Sequence, residues 1–153
     1  MPQLLVVHHT PSPATQELLE AALEGARDPD ANGGAVAVVV RPALVAAAVE
    51  VLEADGYVLA TPANIGYMSG ALKHFFDTIY YPCLDATVGR PFAGWVHGNL
   101  DSGGAVRAVE AITGGLRWRP VAPIATFSGA PSAADRTAVR ELAATVVATL
   151  SAG

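Results

Sequence analysis

Three stretches of this chain combine residue types suited to ligand chemistry. The longest is Thr61-Pro-Ala-Asn-Ile-Gly-Tyr-Met-Ser-Gly-Ala-Leu-Lys-His-Phe-Phe-Asp77, which leads from an apolar run into an amphipathic pattern. Small residues between Pro62 and Gly70 let a flat ring approach the backbone, and Asn64 offers donors and acceptors to the ring's edge. The same residues also suit a plain strand-to-helix turn, with Ser69 as N-cap and Gly66 present for backbone freedom. In Thr10-Pro-Ser-Pro-Ala-Thr15, hydroxyls sit where a helix begins, and the amides and macrodipole there favour a phosphate. Ser12 acting as a cap alone is the simpler account of that loop. His97-Gly-Asn-Leu-Asp-Ser-Gly-Gly104 is the third, polar and glycine-rich after a strand, or else a loop capped by Asp101 or Ser102.

Other reactive residue types are scattered. His8 and His9 end the first strand near the phosphate candidate, but neighbours on a strand face opposite ways, so at most one points into a site. Lys73 and His74 read as surface or packing groups. Cys83 reads as a loop thiol with no cationic neighbour to activate it. Four histidines and one cysteine show no metal-ligand spacing, so no metal is expected.

Five strand-helix pairs must position these loops. Leu4-Leu-Val-Val7 precedes Leu18, Leu19, Ala22, Leu23 and Ala26 at helical spacing, and Ala35-Val-Ala-Val-Val-Val40 precedes Leu44, Ala48, Val49 and Leu52. Tyr57-Val-Leu-Ala60 leads to Leu72, Phe75, Phe76 and Ile79 at i, i+3, i+4, i+7. Phe92-Ala-Gly-Trp-Val96 precedes Ala105, Val109 and Ile112, and Pro123-Ile-Ala-Thr-Phe127 precedes Val139, Leu142, Val146 and Leu150. Ser132-Ala-Ala-Asp135 has capping-box spacing, and Pro13 follows a Ser12 N-cap. Apolar strands alternating with helices predict an α/β three-layer sandwich around a parallel sheet. In such sheets ligands bind beyond the carboxyl ends of the strands, where all three loops fall.

The chain has 153 residues and a net charge of −5, which fits one domain spanning 1–153. Charges interrupt every long apolar run, so no membrane insertion is expected. The start, Met-Pro-Gln followed by a short apolar run, does not read as an export signal, and a lone cysteine suits a reducing compartment, so the cytoplasm is the expected location. With no basic cluster, a nucleic-acid partner is not expected. Gly-x-Gly-x-x-Gly, Gly-Lys-Ser/Thr and Gly-x-Ser-x-Gly are all missing, which removes support for dinucleotide-fold, NTPase and serine-hydrolase readings. A phosphoacceptor receiver would carry acidic residues where His8-His9 and Thr61-Pro62 stand.

The segment from Pro62 to Asp77 is similar to the strand-loop-helix segment of the flavodoxin-like superfamily, in its NAD(P)H-dependent FMN reductase and quinone reductase branch. The pattern is Pro, small or aromatic residues, Gly, any residue, Met-Ser-Gly, then Lys and Phe-hydrophobic-Asp, and the resemblance spans nearly the whole chain. It implies a five-stranded parallel sheet of order 2-1-3-4-5 with FMN at the switch point. Carried over by position, Thr10, Ser12, Ala14 and Thr15 would hold the phosphate. Pro62, Ala63, Asn64, Ile65 and Gly66 would line one side of the ring, and Asn99, Asp101, Ser102, Gly103 and Gly104 the other. His97 would be the catalytic candidate, an imidazole able to donate to a reduced flavin or a quinone oxygen.

The resemblance further implies an oxidoreductase that takes hydride from NAD(P)H and passes electrons to a quinone, a free flavin or another small acceptor. It implies a homodimer or homotetramer, for which the aromatic segment from Phe75 to Tyr81 is the expected contact. Two departures keep alternatives open. Pro13-Ala14 stands where flavodoxins commonly have Gly-Asn, removing a backbone donor and a side-chain amide. The ring-sandwiching aromatics of electron carriers are also not evident; Tyr67 is an imperfect substitute, and Trp95 reads as core. A flavodoxin-type electron carrier, or a domain that has lost flavin and serves as a binding module, are the rival readings.

Overall fold

A computed structural model of the protein describes residues 1–99 and 101–153. The strand β1 (Gln3–His8) lies between β2 (Ala37–Pro42) and β3 (Gly56–Asn64), and β3 pairs on its other edge with β5 (Pro91–His97), all in parallel. Two short strands, β6 (Arg119–Pro120) and β7 (Ala125–Phe127), both pair with the outer edge of β5. Taken together they are the fifth strand, and the order 2-1-3-4-5 follows. Strands buried on both faces need crossovers, and helices supply them. The face bearing Leu4, Val6 and Val58 packs on α1 (Pro13–Ala26) and α6 (Ala133–Ala152). The face bearing Leu5, Val7 and Tyr57 packs on α3 (Ala48–Glu53), α4 (Gly70–Cys83) and α5 (Ser102–Leu116). A further short helix, α2 (Pro29–Asn32), fills the turn after α1.

Several sequence expectations need correction. The fifth strand does not run unbroken from Pro123, because Pro120 and Pro123 have no N–H to ladder with. The second strand starts at Ala37 rather than Ala35, because the buried Asn32 side chain occupies Val36: it donates to the carbonyls of Ala26 (3.0 Å) and Val36 (2.9 Å) and accepts from the Val36 amide (2.9 Å).

The helical face expected of Leu44, Val49 and Leu52 points outward, with Leu44 60% and Val49 58% exposed. The helix begins only at Ala48, so the buried positions are instead Ala43, Ala46, Val51 and Ala54. Arg90 closes the end of this short helix, donating through Nη1 to the carbonyls of Val51, Leu52 and Ala54 at 3.1, 2.9 and 2.6 Å, which satisfies groups the helix itself leaves open. The Tyr57 hydroxyl also donates to Val51 (2.6 Å), and burial pushes its pKa up to about 12.

The segment from Phe75 to Tyr81 is not an exposed aromatic face. Phe75, Phe76 and Ile79 are core residues, as their spacing requires, and Tyr81 alone of the aromatic side chains in it stands fully out. Cys83 is no loop thiol: it ends α4, fully buried, and burial raises its pKa. Trp95 is core, as expected.

Candidate functional site

The parallel register brings the carboxyl ends of the strands to one rim. His8 lies beside Ala60, Pro62 beside His97, and His97 beside Phe127. The loops after β1, β3, β5 and β7 therefore leave from neighbouring points.

After β1, Thr10 is held by His8, whose Nδ1 lies 3.0 Å from Thr10 Oγ1. Of the two adjacent histidines, His8 is the one that touches the loop. Ser12 caps α1 in a closed reciprocal box. The Thr15 amide donates to Ser12 Oγ (3.2 Å) and the Ser12 amide to Thr15 Oγ1 (3.1 Å). The buried Thr15 hydroxyl gives its proton to the Ser12 carbonyl (3.0 Å), which leaves the Ser12 hydroxyl proton as the pair's movable donor. Pro11 and Pro13 contribute no N–H. Among the described residues, the amides of Thr10 and Ala14 have no protein acceptor. The loop thus offers two hydroxyls and two amides at a helix start.

The stretch after Thr61, expected as a loop, is a hairpin. The strand β3 continues to Asn64 and returns antiparallel as β4 (Tyr67–Met68), with Asn64 opposite Tyr67. Its base is fixed by two buried hydroxyls. Thr61 Oγ1 accepts from the Ser69 amide (3.0 Å) and donates to the Pro62 carbonyl (2.8 Å), while Ser69 Oγ caps α4 by accepting from the Leu72 amide (3.1 Å). The two-residue tip has φ of 52° at Ile65 and 70° at Gly66, both positive. That is the pattern of a type I′ turn. Glycine tolerates it, but a β-branched residue is strained there. Ile65 is also fully exposed, so no packing offsets the strain. We expect Ile65→Asn, which suits the left-handed region, to raise stability by about 1 kcal/mol in urea unfolding; an unchanged or lower stability would contradict the strain.

The hairpin tip rests on the third loop. A Cβ built on Gly104 would lie 1.9 Å from the Gly66 carbonyl oxygen, and one built on Gly66 would lie 3.3 Å from Asp101 Oδ2. The second and third loops therefore form one joined wall at this point, not two facing ones. Asp101 starts α5 in a left-handed conformation, with φ of 45°, and its side chain makes no capping bond. Asn99 turns to the fourth loop, accepting from the Gly129 amide (3.2 Å).

His97 turns the same way. Its Nε2–H donates to the Gly129 carbonyl (2.8 Å). In the neutral form the other ring nitrogen, Nδ1, is then an acceptor. A hollow of about 210 Å³ lies beside this link, with Asn99, Asp101, Ser102, Thr126 and Ser128 on its wall. Sequence reasoning missed this contribution from β7. The signal was present: the sheet order places the end of the fifth strand beside that of the fourth. A larger hollow, of about 500 Å³, lies at the sheet edge beside Trp118 and Ile124, away from these loops. Among the described residues, no cluster of His, Cys, Asp or Glu could hold a metal ion, and no helix is long and apolar enough to cross a membrane.

The sequence profile described as NADPH-dependent FMN reductase matches residues 14–152. The chain belongs to that family. The solved structures of the same fold include a flavodoxin from the domain Archaea, 17% identical, with a TM-score of 0.82 over 97% of this chain and 99% of that one. They also include the flavodoxin, WrbA-like protein from Agrobacterium tumefaciens, 19% identical, with a TM-score of 0.79 over 99% of each chain. Flavodoxin 2 from Bacillus cereus is 18% identical, with a TM-score of 0.78 over 96% of this chain and 98% of that one. No curated protein matches the sequence. Identities at this level show the fold; membership of the FMN reductase family adds an FMN-binding oxidoreductase class.

Proposed function

We infer that this protein binds FMN across the rim and passes electrons from NAD(P)H to a small acceptor such as a quinone or a flavin. The observation that carries the reading is the adjacency, at the β1 and β3 strand ends of a reductase-family chain, of a hydroxyl-and-amide loop and a hairpin wall.

The residues present suit the two ends of the cofactor. The Ser12 hydroxyl and the Thr10 and Ala14 amides are donors at a helix start, with the Thr10 hydroxyl bonded to His8 beside them, and donors there are what a phosphate requires. Thr15 serves by fixing Ser12. Asn64 and Ile65 are exposed at the hairpin tip with Gly66 half-buried beside them and can meet a ring, whereas Pro62 is buried at the hairpin's base with its carbonyl taken by the Thr61 hydroxyl. Because Gly66 and Gly104 touch, a ring would lie along the joined wall at this point instead of being gripped between opposed loops. Asn99 and His97 hold the fourth loop in place, so His97 is assigned a positioning role.

When bound, FMN supplies the redox chemistry, accepting two electrons from NAD(P)H and releasing them to the acceptor. The chain's own part is to anchor the phosphate, orient the ring and set the hydrogen bonds at its edge. No side-chain acid or nucleophile is needed for that.

Titration of the purified protein with FMN, followed by quenching of flavin fluorescence, tests the assignment, with riboflavin as the ligand lacking phosphate. We expect FMN to bind at least about tenfold tighter than riboflavin, a difference of about 1.4 kcal/mol. Equal affinities would remove the phosphate loop from the site. Steady NAD(P)H consumption on adding a quinone would then assign the reductase activity, whereas flavin binding without turnover of any acceptor would assign an electron carrier.

A further inference from the structure

The proposed phosphate loop carries no cationic lysine or arginine. Residues 1–26 contain no Lys or Arg, while Glu17, Glu20 and Glu24 follow the loop on α1. Two of its positions are prolines without an N–H. From the loop itself a phosphate dianion would meet neutral donors only, unless a histidine becomes charged. On β1 the faces alternate, so His8 follows Leu4 and Val6 onto the α1/α6 side, where the loop begins.

We propose that His8, with the proton of its neutral ring on Nε2, controls phosphate affinity through Thr10, so that adding a proton at Nδ1 converts the Thr10 hydroxyl from a donor to His8 into a donor to the phosphate. This rests on the FMN reading above. The geometry is the 3.0 Å contact between His8 Nδ1 and Thr10 Oγ1. When Nδ1 carries no proton, it accepts the Thr10 hydroxyl proton, and Thr10 turns a lone pair toward the loop. When Nδ1 is protonated, it donates to Thr10 Oγ1, and the hydroxyl proton is free to point at a phosphate oxygen. The imidazolium also adds a positive charge, which strengthens the whole chain of hydrogen bonds.

The charged groups around His8 favour this control. His9, the residue that follows β1, is the titratable neighbour in the chain. On β2, Arg41 lies in register with Val7, faces the other side of the sheet and is held by Glu50. On the α1/α6 side, Glu17 lies 3.7 Å from Arg136, Asp135 is bonded to the Ser132 amide, and β3 presents Ala60. Burial first, and His9 second, lower the His8 pKa below its ordinary value of 6.5, so the ring is neutral at pH 7 without a ligand. A bound dianion favours the charged ring, and by reciprocity the charged ring favours the dianion. Affinity for phosphate must therefore rise as pH falls through the His8 titration.

FMN's own phosphate protonates near about pH 6, which acts in the opposite direction. The experiment therefore compares His8→Asn with the natural protein at each pH. Asparagine keeps an amide donor for Thr10 but cannot be charged. Dissociation constants for FMN and riboflavin are measured for both proteins from pH 5 to pH 8, and the ratio of variant to natural protein cancels the ligand's ionisation. For FMN that ratio should grow about fivefold or more toward pH 5, and for riboflavin it should stay flat. NMR of the natural protein should show the His8 pKa rising when FMN binds.

A flat FMN ratio, or a His8 pKa unmoved by FMN, overturns the role of His8 and leaves the FMN site standing. If FMN binds no tighter than riboflavin at any pH, the phosphate assignment itself fails. The NMR titration needs no variant, so it decides the matter even where His8→Asn does not fold.

Discussion

Trp118→Ala should cost about 3–5 kcal/mol of stability, the range for emptying a buried large aromatic. The indole is 4% exposed and stacks on Tyr57 with ring centroids 4.0 Å apart and planes 17° off parallel. Phe76 and Phe92 meet it at 6.5 and 6.1 Å in tilted arrangements, the geometry aromatic pairs prefer. Its Nε1–H donates to Thr87 Oγ1 (2.8 Å), and Thr87 in turn donates to the Cys83 carbonyl (2.9 Å). One side chain therefore joins the core to the connection between α4 and β5. Removing it opens a cavity among three rings and takes from Thr87 its donor. Folded domains of this kind are stable by about 5–15 kcal/mol, so the loss would be a large share of the total. Trp118→Phe keeps ring area but not the N–H and should cost about 1–2 kcal/mol. Urea unfolding midpoints of the two variants test the assignment; a loss below about 1 kcal/mol for Trp118→Ala would mean that the stack is not a core element.

Nothing in the pattern around Trp118 signals that importance. It sits in Leu116-Arg-Trp-Arg-Pro120, between a helix and a strand fragment, flanked by two exposed arginines and outside any periodic run. The strands were legible for the opposite reason. Parallel strands buried on both faces must be apolar at every position, so Leu4 to Val7 and Tyr57 to Ala60 stand out without reference to partners. The helix after β3 was legible because Leu72, Phe75, Phe76 and Ile79 repeat on one face over successive turns. The helix after β2 was not, because it is six residues long and most of what it and its flanks bury is alanine.

The rim was legible to a similar degree. The loops after β1, β3 and β5 could be placed from the order of elements alone. The hairpin could not, since type I′ turns are signalled by Asn-Gly or Asp-Gly and this one places Ile65 first. The link from His97 and Asn99 to Gly129 was also hidden. It depends on where two loops meet in space, and the donor roles of His97 follow from that meeting, not from its position at a strand end.

The contact between Gly66 and Gly104 yields the sharpest expectation for function. With a Cβ on residue 104 only 1.9 Å from the Gly66 oxygen and 2.9 Å from its carbon, alanine cannot be accommodated by a side-chain adjustment. Backbone must move, either the hairpin tip or the start of α5. Gly104→Ala should therefore cost about 1–3 kcal/mol of stability, as overpacking does. It should also weaken FMN binding about tenfold or more, about 1.4 kcal/mol, because the displaced segment is the proposed ring wall. Riboflavin should weaken by the same factor, since its ring is the same; a mutation in the phosphate loop would spare it. The adjacent residue provides the control. A Cβ on Gly103 would meet Arg107 Nη1 at 3.3 Å, the end of a flexible exposed side chain. Gly103→Ala lies in the same helix turn, where alanine is favoured over glycine by about 1 kcal/mol, so it should be neutral or stabilising. Opposite signs for two neighbouring glycines in one helix would come from the hairpin contact alone, because helix propensity treats both alike. Equal effects on stability, or a Gly104→Ala variant with unchanged flavin affinity, would show that the joined wall does not support the ring.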